Sequence, residues 1–123
     1  MSQYIDGFVI PVPKNKVADY RRLSRQAAKL WKEHGALDFR ESIGDDLEVK
    51  GMTPFGRFAK TKPGETVVFS WVVFKSRQHR DQANARLMKD PRTVALCEAS
   101  GQLFDCKRMA YGGFKTLVQL PRS

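Results

Sequence analysis

The chain has 123 residues, of which 41% are hydrophobic and 28% are charged, and this balance is typical of a soluble folded protein. The length allows one domain with a substantial core and excludes two independent domains. The first residues lack the basic start and apolar run of a secretory signal, and no window approaches a membrane span of roughly 20 apolar residues. We therefore expect one cytoplasmic domain over residues 1–123, without membrane contact.

The first half of the chain predicts a strand, a long helix and a second strand. The first strand covers residues 4–12 and alternates, with one face formed by Tyr4, Asp6, Phe8, Ile10 and Val12. Apolar residues then recur at helical steps over residues 15–34, and Gly35 supplies a C-terminal stop. Residues 36–43 fit a second strand. The connection at residues 47–64 is rich in glycine and proline and predicts a long loop, in which residues 57–60 fit a short strand.

The second half contains the most informative segment, residues 67–74, in which only Ser70 is not apolar. β-Branched and aromatic residues at this density predict a strand that is apolar on both faces. Ser76 is a suitable first cap for a second helix, and Asp90-Pro91 restarts a helical segment that ends near residue 101. Residues 108–111 and 114–120 fit a last strand, which the intervening glycine pair is predicted to break or bulge.

This element order, strand-helix-strand twice, predicts the α+β fold class and a ferredoxin-like βαββαβ antiparallel sheet with its helices on one face. The opposite face would be bare in a monomer. If it carries Phe69, Trp71 and Val73, or their alternates, the apolar patch exceeds what monomers usually expose. A two-fold homodimer would cover this patch, and we expect its interface to bury at least roughly 1,200–2,000 Å² in total.

Nine short blocks run through the chain in the same order as these elements. They are Asp6-Gly7-Phe8-Val9, Gly35-Ala36-Leu37, Gly44-Asp45-Asp46, Val67-Val68-Phe69-Ser70-Trp71, Arg80-Asp81, Asp90-Pro91-Arg92, Phe104-Asp105, Lys107-Arg108-Met109 and Tyr111-Gly112-Gly113-Phe114. Together they resemble the YbaA-like family of uncharacterised bacterial proteins over nearly the whole chain. The resemblance implies a dimeric α/β barrel, in which two ferredoxin-like sheets pack their bare faces together. It implies no activity, because relatives in fold include cofactor-free monooxygenases, haem-degrading enzymes, a lactone isomerase and ligand-binding or stress proteins.

Aromatic and polar side chains predict a small-molecule pocket, either between the sheet and the helices or at the barrel mouth. The candidate ligand-binding walls are Phe8, Trp71 and Tyr111, and the candidate polar groups are Asp6, Asn84 and Arg108. Such a pocket suits a small aromatic or apolar ligand.

The same residues could support a monooxygenase-like or isomerase-like reaction without a cofactor. Asn84 or Arg108 would stabilise an enolate-like substrate anion. Asp6 or Asp46 would act as the base if burial raised its pKa. The alternative is that the aromatic residues are core, Asp6 meets a buried arginine or backbone donors, and Asn84 is an ordinary helix residue. A non-catalytic ligand-binding or stress-related role therefore stays open beside catalysis.

Metal and cofactor chemistry is not expected. His34 and His79 are far apart, and Cys97 and Cys106 match no metal or redox spacing. We interpret the two cysteines as reduced thiols in or near the core. His34 fits a favourable charge at the end of the first helix.

The charge balance raises a different class of partner, because 22 Lys and Arg against 13 Asp and Glu give a net charge of +9. The predicted first helix carries a basic ridge of Arg22, Arg25, Lys29 and Lys32 on the side away from its apolar stripe. No RNA-binding aromatic signature or helix-turn-helix pattern accompanies this ridge. We interpret it as a solvated face, with nonspecific nucleic-acid attraction as the alternative.

Overall fold

The computed structural model describes residues 2–121, which fold around one four-stranded antiparallel sheet. The strands are β1 (Tyr4–Pro13), β2 (Asp38–Ile43), β3 (Glu65–Phe74) and β4 (Ala110–Lys115), in the spatial order β2-β3-β1-β4. The helices are α1 (Val17–Glu33), a short α2 (Phe55–Phe58), α3 (Arg77–Lys89) and α4 (Pro91–Ser100), with 3-10 turns at Lys14–Lys16 and Cys106–Arg108. The predicted ferredoxin-like order of elements is confirmed.

The register of the two central strands gives the sheet two distinct faces. Asp6 lies opposite Val72, and Phe8 lies opposite Ser70. Alternate residues of β1 and β3 form what we call the inner face, which packs against the helices: Tyr4, Asp6, Phe8, Ile10, Val12, Val68, Ser70, Val72 and Phe74. The outer face, on the other side, carries Ile5, Gly7, Val9, Pro11, Val67, Phe69, Trp71, Val73 and Phe114.

Helices α3 and α4 begin at the predicted capping residues. The apolar side of the helical layer packs on the inner face of the sheet. The Ser76 side chain accepts a hydrogen bond from the His79 backbone at 3.2 Å and starts α3. Asp90 accepts from the Arg92 backbone at 2.9 Å and starts α4. Ala83 of α3 joins the core cluster around Val72, since its small side chain lets the helix approach the sheet closely.

Residues 57–60 are not a strand, and that prediction is wrong. The segment forms α2 instead, in which the rings of Phe55 and Phe58 meet with their centroids 6.2 Å apart. Phe55 also packs on Phe69 of the outer face, with centroids 6.1 Å apart. A single helical turn places both phenylalanines toward one apolar patch, which explains why the chain coils here rather than extends.

The glycine pair does not break β4, contrary to prediction. Gly112 pairs with Gly7, and Gly113 pairs with Asp6, in an uninterrupted register. A side chain at position 113 would collide with the Tyr4 ring, because its Cβ would come within 2.7 Å of Tyr4 Cε2. Glycine here therefore allows the close approach of a neighbouring ring. The strand also ends earlier than predicted, at Lys115.

The described chain covers the outer face unevenly, since Pro11 and Val67 are buried there. The exposed fraction is 42% for Phe69 and 60% for Phe114, although both lie on the sheet. α2 covers the part of this face around Phe69. Beyond β4, a segment that we call the tail (residues 116–121) adds exposed apolar side chains at Leu117, Val118 and Leu120. Among the described residues, no helix is long and apolar enough to cross a membrane.

Candidate functional site

A cavity of about 530 Å³ lies between the inner face and helices α1, α3 and α4. Its apolar lining includes Phe8, Leu23, Ala27, Trp31, Phe39 and Leu87. Phe8 stands on a central strand and is nevertheless only partly buried. A side chain in that position is normally enclosed by packing, so its partial exposure reflects the hollow space that it borders.

Small residues of α1 contribute to the hollow. Ser24 and Ala27 line the cavity on the same face of the helix, one turn apart. Neither side chain is large enough to fill the space between α1 and the sheet. The helix is held at this distance by larger neighbours such as Tyr20 and Trp31, which pack against the two core clusters.

Asp6 is the one residue of β1 that places a carboxyl group in this apolar layer. Its exposed fraction is 0%, and it lines the cavity. Neither carboxylate oxygen has a hydrogen-bond partner among the described residues. The nearest opposite charge is Arg80, whose Nη1 lies 3.4 Å from Oδ1. Asp6 therefore has a charge partner without an aligned donor.

Arg80 of α3 directs its donors elsewhere. Nη1 donates to the Tyr111 hydroxyl at 3.0 Å, and Nη2 donates to the Tyr4 hydroxyl at 3.3 Å. The guanidinium also stacks on the Tyr4 ring, 4.8 Å from its centroid. Its Nε lies 3.0 Å from Oδ1 of Asp81. The two tyrosines thus fix the guanidinium beside Asp6, in an orientation in which it makes no hydrogen bond to the carboxylate.

Burial raises the pKa of Asp6 above its ordinary value, and the charge of Arg80 only partly opposes this shift. Tyr111 and Asn84 lie close enough to lower it further, although neither makes a bond of hydrogen-bonding geometry. Burial also raises the pKa of Tyr111, and the nearby charge of Asp6 adds to that shift. Tyr111 is therefore held as a neutral hydroxyl beside a carboxyl group that gains protons more readily than a surface aspartate.

A second carboxyl group lines the cavity from β2. Glu41 Oε1 accepts a hydrogen bond from the Tyr20 hydroxyl at 2.9 Å, whereas Oε2 is buried without a partner among the described residues. Burial raises the pKa of Tyr20, and the charge of Glu41 adds to the shift. Tyr20 therefore keeps its proton and donates a hydrogen bond to Glu41. One oxygen of Glu41 thus accepts a hydrogen bond, whereas neither oxygen of Asp6 does.

The structure brings together four of the seven residues predicted for the pocket. Asp6, Phe8, Asn84 and Tyr111 line the cavity together. Trp71 does not, because it lies on the outer face under Arg40, whose Cζ is 5.5 Å from the ring centroid.

Asp46 and Arg108 lie apart from the cavity as well. Asp46 is exposed in the loop after β2. Arg108 donates to both carboxylate oxygens of Glu65, at 2.7 and 2.8 Å, and to the Lys60 carbonyl at 2.8 Å. Neither residue lines this cavity, and the roles of Asp46 as base and of Arg108 as anion stabiliser stay predictions.

Sequence reasoning included a buried arginine beside Asp6 as an alternative but did not identify it as Arg80, although a signal was present. Arg80, Asn84 and Leu87 recur at steps of four and three residues, which places them on one face of α3. An arginine on the same stripe as a core leucine is expected to meet a buried acid. The carboxyl group in the apolar row of β1 required such a partner.

Glutamine in place of Glu65 tests the Arg108 pair. Arg108 and the Lys62 backbone lower the pKa of Glu65 to about 2 from an ordinary value of 4.5. A lowered pKa in the folded state stabilises the fold above the unfolded pKa, and this stabilisation is lost as the pH falls through the folded pKa. We expect E65Q to be less stable than the wild type near neutral pH, with a difference that shrinks between about pH 4.5 and about pH 2. Urea denaturation across this range measures it, and a difference that does not change with pH would contradict the assignment.

The remaining predicted groups lie outside the Asp6 end of the cavity. Arg22, Arg25, Lys29 and Lys32 are all exposed on α1, and nucleic-acid binding by this ridge stays a prediction.

The cysteines lie elsewhere than predicted, whereas His34 lies at the end of α1 as predicted. Cys97 and Cys106 line the cavity but are exposed rather than buried in the core, since this side of the helical layer is open. His34 Nε2 lies 3.2 Å from Asp90 Oδ2 and links the end of α1 to the start of α4. Within residues 2–121, no cluster of three or more His, Cys, Asp or Glu side chains comes together.

Comparisons with known proteins agree with this architecture. Residues 3–106 match the family described as "Protein of unknown function (DUF1428)". The Escherichia coli K12 protein named "Uncharacterized protein YbaA" is 41% identical over 116 residues, which cover 94% of this chain and 97% of that protein. The Shigella flexneri YbaA protein matches equally well.

Solved structures share the fold at low identity. An uncharacterised NIPSNAP domain protein from Burkholderia xenovorans has a TM-score of 0.63 and 12% identity, covering 97% of this chain and 99% of that one. A dimeric ferredoxin-like protein from an uncultured marine organism has a TM-score of 0.63 and 8% identity, covering 100% and 95% of the two chains. These likenesses establish the fold alone. The family match and the identity to YbaA show that the chain belongs to the DUF1428 family.

Proposed function

We propose that the protein is a homodimer that binds a small, largely apolar molecule in the cavity between the inner face and the helices. The observation that carries this proposal is the cavity itself. Its volume of about 530 Å³ falls within the roughly 300–1,000 Å³ of ligand pockets, and its walls are mainly apolar with a few polar groups. An apolar ligand that fills a cavity of this size makes favourable packing contacts with its walls and therefore stabilises the fold.

Aromatic rings at the walls favour an aromatic ligand. The Phe8 and Tyr111 rings lie with their centroids 4.9 Å apart and an interplanar angle of 37°. Trp31 and Phe39 line the cavity from α1 and β2. Ring-to-ring contacts in offset or edge geometry stabilise aromatic pairs beyond their buried area. A flat ligand of one or two fused rings suits such walls better than a flexible chain.

The outer face supports the homodimer. Phe69 and Phe114 are large, apolar and substantially exposed, and the neighbouring tail carries Leu117, Val118 and Leu120 with exposed fractions of 86–94%. Apolar surface of this extent in one region is typical of a protein interface. Two copies related by a two-fold axis would cover it on both sheets at once. The dimeric ferredoxin-like relatives in fold are consistent with this arrangement.

The cavity also supports a reaction without a cofactor, of the monooxygenase-like or isomerase-like kind. Asp6 would then accept a proton from the bound molecule, and Tyr111 or Asn84 would stabilise the anion. A carrier would bind the same ligand without turnover. Oxygen uptake in the presence of phenols and quinols separates the two roles.

Filling the cavity tests the binding proposal. In Ala27→Phe, the new ring would extend from α1 into the space that the ligand occupies. We expect naphthalene to bind the wild type, and A27F to bind it at least about tenfold more weakly, since the ring excludes the ligand by volume. Ala85→Phe on the exposed side of α3 is the matched control and should bind as the wild type does. Titration calorimetry measures both, and circular dichroism verifies folding. Equal binding by A27F and wild type would place the ligand elsewhere.

A further inference from the structure

We infer that Asp6 selects the ligand by accepting a hydrogen bond from it, so that the cavity prefers a neutral aromatic molecule with a hydroxyl or N–H group. This inference rests on the proposed function and adds to it the chemical class of the ligand and the residue that recognises it. The juxtaposition that carries it is a fully buried carboxylate without a donor at the wall of an apolar cavity.

A carboxylate buried without hydrogen bonds is costly, and native proteins usually supply donors to such a group. Around Asp6 the Nη atoms of Arg80 donate to the hydroxyls of Tyr111 and Tyr4, and no donor of the described residues makes a hydrogen bond to either carboxylate oxygen. The carboxylate oxygens therefore retain their accepting capacity, and because both are fully buried, a ligand donor reaches them only by displacing a neighbouring side chain. A ligand donor placed there gains a charge-assisted hydrogen bond that a hydrocarbon cannot make.

The charge of the site decides between neutral and charged ligands. Arg80 lies 3.4 Å from Asp6 and balances its negative charge. A cationic ligand would bring an additional charge into an apolar cavity, and an anionic ligand would face the carboxylate directly. A neutral donor satisfies the free oxygens without either cost. Phenol-like and indole-like molecules have this character.

Asp6 is a better candidate than Glu41, the other carboxyl group at the cavity. Oε1 of Glu41 already accepts a hydrogen bond from the Tyr20 hydroxyl. The raised pKa of Tyr20 keeps this hydroxyl protonated, so the hydrogen bond persists. Asp6 also lies beside the Phe8 and Tyr111 rings, so that a ligand ring stacked there would direct a substituent to the carboxylate.

Three naphthalene derivatives of similar shape test the inference by titration calorimetry: naphthalene, 2-methoxynaphthalene and 2-naphthol. Only 2-naphthol donates a hydrogen bond. We expect the wild type to bind 2-naphthol about tenfold or more tightly than 2-methoxynaphthalene, which corresponds to one hydrogen bond to a charged group. Asp6→Asn keeps the shape of the side chain and should reduce this preference to within about threefold, because the acceptor is no longer charged. Asp38→Asn, at an exposed aspartate of β2 that does not line the cavity, is the matched control and should keep the preference of the wild type.

The outcomes separate this inference from the proposed function. Equal affinities of the wild type for 2-naphthol and 2-methoxynaphthalene would overturn the role of Asp6 while leaving cavity binding intact. No binding of any of the three compounds would overturn the proposed function and this inference with it. If D6N does not fold, a crystal structure of the wild type with 2-naphthol decides. The naphthol oxygen within hydrogen-bond distance of a carboxylate oxygen of Asp6 supports the inference, and its placement at any other group overturns it.

Discussion

Replacing Phe69 with glutamate is expected to convert the proposed dimer into a monomer. Phe69 lies on the outer face with 42% of its surface exposed, and it contacts Phe55 and Trp71 within the same chain. In a two-fold dimer, F69E would bury one carboxylate from each subunit in an apolar interface. An uncompensated charge in such a place is strongly destabilising, so we expect the dissociation constant to rise by at least about 100-fold.

Sedimentation velocity at micromolar concentration measures this effect. Val94→Glu is the matched control, since Val94 is an apolar residue of α4 with a similar exposed fraction of 51%. V94E should sediment as the wild-type dimer does, because it lies on the helical side of the sheet. A wild type that sediments as a monomer, or an F69E variant that stays dimeric, would contradict the proposed interface.

Replacing Arg80 with methionine is expected to be the most destabilising single substitution near the cavity. Methionine keeps most of the volume of the arginine side chain but leaves Asp6 buried without a charge partner. Removing one member of a buried ion pair typically costs about 3–5 kcal/mol, because the remaining charge is uncompensated. In the double variant R80M/D6N neither charge is present, and most of the loss should be recovered. Arg77→Met, at the exposed start of the same helix, should change stability by less than about 0.5 kcal/mol.

The same substitution has an expected pH dependence. Burial raises the pKa of Asp6, and a group with a raised pKa favours folding below its unfolded pKa and opposes it as the pH rises through the folded pKa. Without Arg80 the pKa rises further. The stability loss of R80M, measured by urea denaturation, should therefore be largest at neutral pH and shrink in acid as Asp6 becomes protonated. A loss of the same size at all pH values would indicate that packing, and not charge, is responsible.

The fold could be predicted because local signals agree with one another. The apolar run at residues 67–74 becomes the central strand β3, the helix starts at Ser76 and Asp90 carry capping side chains, and the alternation of β1 survives in its register with β3. Each of these depends on residues close in sequence. Together with the strand-helix-strand order, they define the sheet and the side that its helices cover.

The orientation of β3 could not be predicted from its own residues. A strand that is apolar on both faces gives no internal sign of which face meets the helices. The sequence therefore allows Trp71 either at the pocket beside Phe8 or on the bare face with Phe69. The register places it opposite Gly7, on the outer face. Ser70, the one polar residue of this segment, is buried on the inner face opposite Phe8, so its polarity does not mark the exposed side of the strand.

Other features depend on contacts between distant residues. The Arg108–Glu65 pair joins positions 43 residues apart, and the α2 turn forms against the exposed ring of Phe69. The cavity itself arises from the distance between α1 and the sheet. A sequence pattern identifies the residues that face inward, but the volume between them depends on how the helices settle on the strands.

NMR titration of the protein with naphthalene tests the proposed ligand site most directly. Backbone amide signals would be followed while naphthalene is added. We expect the largest shifts at Phe8, Ala27 and Leu87, which line the cavity, and little change at Phe69 and Trp71 on the outer face. Shifts confined to the outer face, or no saturable shifts at all, would contradict a ligand site between the sheet and the helices.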